Sequence, residues 1–306
     1  MTVLRKRMSV KRWSRRMVAS VSLVSLALSA VPSSAGALRL LPASTQVTAV
    51  YVAVGASESV GFQPTTAQPQ GVRTPFGYAS VAASILRVNN PGLVAEIIGC
   101  PGATSASALA GDHCSQGVSQ VQQIISLANA YPDVPFYVSL DLGFNDLRPC
   151  REAKFKLSGC VESAVADVRI NIATFVTKLR SAIANPLHFV GLTHDDPFLV
   201  SALMGGRPDL SALSIDAVNQ LNRTLNSTYP TLGIPEVDVA ALFSTGNTTT
   251  VTYPPFAAIT AEQARVCDWT WMCAAAPFGP NIHMNDAGYA VVADAVVRAL
   301  RSVGLR

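Results

Sequence analysis

The chain has 306 residues, 49% hydrophobic and only 14% charged, with 20 Gly and 19 Pro; that excludes a disordered regulator, which is poor in apolar residues, and a coiled coil, which is rich in Glu and Lys and poor in Pro. The formal net charge of +4 sits at one end, because residues 1–37 hold seven cations (Arg5, Lys6, Arg7, Lys11, Arg12, Arg15, Arg16) and no Asp or Glu. Taking those seven from 23 leaves 16 cations against 19 anions, so residues 38–306 carry −3 and offer no basic footprint to a nucleic acid.

Residues 1–37 read as a secretory signal peptide. A cationic stretch ends at Arg16, and an apolar run follows over 18–31. That run is too short to cross ~30 Å of hydrocarbon at ~1.5 Å per residue. Pro32 ends it, and Ala35-Gly36-Ala37 supplies a small-residue cleavage pattern. The expectation is an exported protein, secreted or held at the cell envelope, whose remainder, 38–306, forms one domain. The six cysteines, at 100, 114, 150, 160, 267 and 273, all lie in that remainder and none forms C-x-x-C. Of the 15 possible pairings, the local one is expected: Cys100–Cys114, Cys150–Cys160 and Cys267–Cys273.

Residues 47–54 form a continuous β-branched run, the mark of a strand buried on both faces. A helical pattern over 74–88 places Phe76, Ala79, Ala83 and Leu86 on one face. Further strands are predicted at 93–98, 135–142, 187–193 and 234–239. Further helices are predicted around 117–129, 161–184, 213–227 and 286–303. The alternation predicts an α/β fold, a parallel sheet wrapped by helices on both faces, with no second core and no repeat. Residues 240–280 read as long and irregular; their aromatic residues, Tyr253, Phe256, Trp269, Trp271 and Phe278, suit an apolar wall or lid beside a site.

In such sheets ligands bind at the carboxyl ends of the strands, and four polar stretches fall there. Gly55-Ala56-Ser57-Glu58-Ser59 follows the first strand, where a sharp turn exposes a hydroxyl and frees backbone N–H groups. Ser59 is the rival to Ser57. Gly99-Cys100-Pro101-Gly102-Ala103-Thr104 follows the second, and Gly143-Phe144-Asn145-Asp146 the third. An Asn side chain there can donate to an oxyanion. Pro280-Asn281-Ile282-His283 precedes the last helix, whose positive end keeps His283 neutral and fit to act as a base. Among the other histidines, His113 lies near the Gly-containing turn, His188 opens a strand, and His194-Asp195-Asp196 reads as a solvated loop rather than a metal site. Asp286 is assigned to the start of the last helix.

Together, and in this order, the four stretches resemble the SGNH (GDSL-like) hydrolases over roughly Val47 to Leu305. The resemblance implies a three-layer α/β/α sandwich, flavodoxin-like, with about five parallel strands. It implies Ser57 as nucleophile and His283 as base. The amides of Ser57 and Gly102 and the side chain of Asn145 become the oxyanion hole. Two family aspartates are missing: Ala56 stands in G-D-S-L, and Pro280 stands in D-x-x-H. A histidine base needs an acceptor for Nδ1–H, and the candidates are the Pro280 backbone carbonyl and Asp268. The activity implied is a serine esterase or lipase acting on acyl esters, without metal or cofactor and without a nucleic-acid or obligate protein partner. The alternatives are a polysaccharide O-acetyl esterase or acyltransferase, and a non-catalytic binding protein on a decayed hydrolase fold.

Overall fold

The computed structural model describes residues 46–153, 158–206 and 208–306. The segment read as a signal peptide lies outside the described residues, and Ser44–Arg306 forms one unit. Five parallel strands make its sheet: β1 (Ala49–Gly55), β2 (Leu93–Ile97), β3 (Phe136–Asp141), β4 (Leu187–Leu192) and β5 (Glu236–Val237). Their order is β2-β1-β3-β4-β5. β1 lies between β2 and β3, and every one of its residues is buried. This explains a run of apolar residues without alternation.

The helices are α1 (Tyr78–Asn89), α2 (Ser105–Ala110), α3 (Gln120–Ala130), α4 (Arg148–Glu152), α5 (Cys160–Ala182), α6 (Pro208–Thr231), α7 (Val239–Leu242), α8 (Ala261–Trp269) and α9 (Asp286–Ser302). Ala49, Tyr51 and Ala53 of β1 join one apolar layer with α1 and α9. Val50, Val52 and Val54 join the other with α3, α5 and α6. The two-residue period of a strand thus divides one sequence run between two cores. Among the described residues no helix is long and apolar enough to cross a membrane.

The three expected disulfides all form. Three local expectations are corrected. Phe76 precedes α1 and is 54% exposed, because Pro75 and the Gly77 N-cap delay the helix. α6 starts earlier than the predicted 213, at Pro208, where a missing N–H costs nothing. Residues 240–280 are ordered: β6 (Thr250–Tyr253) and β7 (Phe256–Thr260) form an antiparallel hairpin. α8 follows it through a capping box between Thr260 and Gln263. A half-exposed strand of threonines gives too weak an apolar pattern to be read as a strand.

The chain runs from β1 outward to β2 and then crosses back to β3. The β1/β3 boundary is therefore the switch point where such sheets hold ligands.

Candidate active site

β1 ends on Gly55, whose φ is +152° and whose Cβ, if present, would lie 2.6 Å from the Asp141 carbonyl oxygen. Only glycine lets β1 approach β3 so closely before turning. In the turn that follows, Ser57 faces a cavity that it shares with Asn145 and Ile282. Ser59 faces inward, fully buried, and its hydroxyl donates to the Ala56 carbonyl at 2.8 Å. Of the two rival serines, the cavity receives Ser57.

The Gly102 turn is held against this one. The Cys100 amide donates to the Gly55 carbonyl at 3.0 Å, and the Ala103 amide closes a turn onto Cys100 at 2.9 Å. Pro101 and Gly102, with φ +82° at Gly102, suit the two central positions of a type II turn. The Cys100–Cys114 disulfide fixes its base. Among the described residues, neither the Ser57 nor the Gly102 amide donates to another group.

Asn145 is tied to the same turn, since its Nδ2 donates to the Ala103 carbonyl at 3.2 Å and has a second N–H to offer. Its neighbour Asp146 clamps the start of α2, accepting from the Ser105 amide at 2.9 Å and the Ser105 hydroxyl at 2.6 Å. The Asn-Asp pair therefore joins the loop after β3 to the loop after β2.

His283 comes to this neighbourhood from the far end of the chain. Its ring lies against Phe62, with centroids 4.8 Å apart, and the Phe62 amide donates to the Ser57 carbonyl at 3.0 Å. The Tyr289 hydroxyl donates to the Phe62 carbonyl at 2.8 Å, and Gln63 spans Trp271 and Asp286 through its side-chain amide. Burial lowers the His283 pKa to about 4, so the ring is neutral at pH 7.

The expected acceptor for this ring is corrected. His283 Nδ1 lies 2.7 Å from Asn281 Oδ1, which also accepts from the His283 backbone amide at 3.1 Å. The short Asn side chain folds forward onto both N–H groups of the residue two ahead, as in an Asx turn. The Asp268 carboxylate is engaged by the Tyr253 hydroxyl at 2.9 Å and Arg265 at 4.0 Å. The Pro280 carbonyl has no hydrogen bond to the ring among the described residues. An Asn two residues before a candidate base is the signal that would have found Asn281.

The cavity measures about 30 Å³, room for about two waters. Phe144, Pro197 and Ile282 wall it, and Asp141, His194 and Asp195 lie beneath. The loop after β4, expected to be solvated, is buried. Asn222 of α6 straps it down, accepting from the His194 amide at 2.9 Å and donating to the His194 carbonyl at 2.8 Å. Burial pushes Asp141 and Asp195 up to about 7 and His194 down to about 4. None of the five aromatic residues expected to form a wall or lid lines this cavity. Trp271 instead braces the His283 loop, donating its backbone amide to the His283 carbonyl and accepting from the Asn281 amide. His188 stacks on Tyr137 where β4 begins, away from the strands' carboxyl ends. His113 is exposed beside the Cys100–Cys114 bridge.

The model of the family described as GDSL-like Lipase/Acylhydrolase matches residues 51–296. No curated protein matches the chain significantly. Among solved structures, an extracellular lipase from Streptomyces rimosus is similar at 16% identity, over 82% of this chain and 100% of its own, with a TM-score of 0.54. A phospholipase A1 from Streptomyces albidoflavus NA297 is similar at 17% identity, over 83% and 99%, with a TM-score of 0.52. The lipase Lip_vut3 from a goat rumen metagenome is similar at 15% identity, over 84% and 98%, with a TM-score of 0.52. At such identities the likeness is one of fold.

Proposed function

Because the chain belongs to the GDSL-like lipase/acylhydrolase family, serine hydrolases of carboxylic esters, we propose that Ser57 is its nucleophile and His283 its general base. Ser57 Oγ attacks the ester carbonyl while His283 Nε2 takes its proton, and Asn281 keeps the other proton on Nδ1. The oxyanion is received by the Ser57 and Gly102 amides and by Asn145 Nδ2. Collapse expels the alcohol, which leaves with the proton from His283. A water activated by the same imidazole then releases the acid from the acyl-enzyme. The scheme is complete without a cofactor.

The observation that carries this assignment is the binding of the Ser57 turn to the His283 loop through Phe62 and Tyr289, with Ser57, Asn145 and Ile282 on one cavity. The cavity's size bears on the substrate. The enclosed part of the cavity, about 30 Å³, leaves no room for a long acyl chain, so we favour the O-acetyl esterase reading over the lipid-ester one. Export by residues 1–37 is part of the same proposal, supported by the three disulfides, which persist in oxidising compartments. Hydrolysis of p-nitrophenyl acetate, with p-nitrophenyl esters of longer acids as comparison, tests both points. The expected result is turnover that falls with acyl length and is abolished in Ser57→Ala. Turnover that survives Ser57→Ala refutes the nucleophile, and faster cleavage of long-chain esters refutes the acetyl preference.

A further inference from the structure

Glu58 follows Ser57 directly and has no place in the scheme above. It lines both the Ser57 cavity and a second cavity of about 10 Å³. Glu58 Oε2, Asp141 Oδ2 and Asp195 Oδ2 are all enclosed without a hydrogen-bond partner, as is the Tyr78 hydroxyl. Three carboxyls gathered around one cavity, each with an unpaired buried oxygen and no cation among them, are strongly disfavoured in the charged form.

We propose, resting on the Ser57 and His283 assignment, that Glu58 is a positioning residue that works as a carboxylic acid, pinning the nucleophile turn to the base loop. The Tyr289 hydroxyl and the Met284 amide lie within its hydrogen-bonding reach. Tyr289 spends its one proton on the Phe62 carbonyl, at 2.8 Å, so toward Glu58 it presents lone pairs. Only a protonated carboxyl can donate to it. Met284 follows His283, and Tyr289 lies in α9, so one acid group bridges the Ser57 turn to both.

Among the described residues, the groups facing Glu58 supply no cation. They are Asp141 at the end of β3, His194 and Asp195 after β4, Tyr78 of α1 and Tyr289 of α9. His194 is held neutral by burial. Asp196 stands behind Asp195, and Arg151 acts on Asp196. Burial first, then Asp195 and Asp141, raises Glu58 well above the usual carboxyl range. The proton also has a catalytic consequence. The oxyanion forms beside the Ser57 amide, one residue away, and a second negative charge at Glu58 would oppose it.

The test is the pH dependence of kcat/KM on p-nitrophenyl acetate for the parent, Glu58→Gln and Glu58→Ala, with circular dichroism to report folding. Gln copies the protonated acid, because its NH₂ can donate to Tyr289 while it carries no charge. Glu58→Gln should keep activity within a few-fold of the parent and lack the parent's fall at alkaline pH. Glu58→Ala, folded, should lose on the order of 10²-fold, the scale of a small misplacement of reacting groups. If Ala does not fold, the parent and Gln profiles decide alone. A Gln variant as inactive as Ala, or with the parent's alkaline fall, overturns the proposal. So does an Ala variant as active as the parent. A fluorophosphonate separates the two levels: a parent that it does not label refutes the Ser57 assignment itself, whereas a labelled parent with an inactive Gln variant refutes only the role of Glu58.

Discussion

His283 Nδ1 lies 2.7 Å from Asn281 Oδ1, so the proposed base is oriented by a neutral amide two residues before it. An amide oxygen fixes the ring's tautomer as a carboxylate would, but it lends the imidazolium less stabilisation. Asn281→Ala should lower kcat by on the order of 10²–10³-fold by freeing the wrong tautomer, with folding unchanged by circular dichroism. Asn281→Asp should raise the pKa of His283 by placing a charge beside it. The acid limb of kcat/KM would then move to higher pH.

In the parent that limb should lie low. In the proposed mechanism His283 must be neutral to accept the Ser57 proton, and burial holds its pKa at about 4. Activity should therefore persist below pH 6 and fall only as pH drops through about 4. A kcat/KM profile that falls near the ordinary histidine value of ~6.5 would contradict this.

Stability should depend on pH through the acids beneath the site. Asp141 and Asp195 titrate near 7 in the fold against an ordinary carboxyl value of 3.8. The folded chain therefore holds more protons than the unfolded chain between those values, and stability falls as pH rises through about 7. His283 and His194, lowered to about 4, act in the opposite direction between about 4 and 6.5. Above that window only the acids remain, so Tm should drop from pH 6.5 to 8. Asp195→Asn should flatten that drop.

Much of the candidate site is legible in the sequence because its serine, glycine and asparagine loops follow β1, β2 and β3. The run 47–54 announces β1, so Ser57 falls at its end; Asn145 does the same after β3. The rest is hidden because its meaning depends on partners remote in the chain. His194-Asp195-Asp196 reads as a polar loop until Asn222 of α6 straps it under the cavity. The orienter is missed because attention goes to the position three before the histidine, whereas a shorter Asx geometry acts from two before. The hairpin at 250–260 is missed because Thr250 and Thr252 turn one face of β6 to solvent and only Val251 and Tyr253 mark the other.

Asn145 and Asp146 should separate function from stability. Asn145→Ala removes one proposed oxyanion donor and should cost on the order of 10²–10³ in kcat while leaving the fold intact. Asp146→Ala removes two hydrogen bonds to Ser105 at the joint between the Asn145 and Gly102 loops. It should lower stability by about 1–3 kcal/mol as well as kcat, measurable by urea unfolding alongside turnover.

The most direct measurement of the central claim is stoichiometric labelling with a fluorophosphonate, with the adduct located by peptide mass mapping. The account predicts one adduct per chain on Ser57, absent in Ser57→Ala and retained in Ser59→Ala. An adduct on Ser59 or on any other residue, or an unlabelled folded protein, would contradict it.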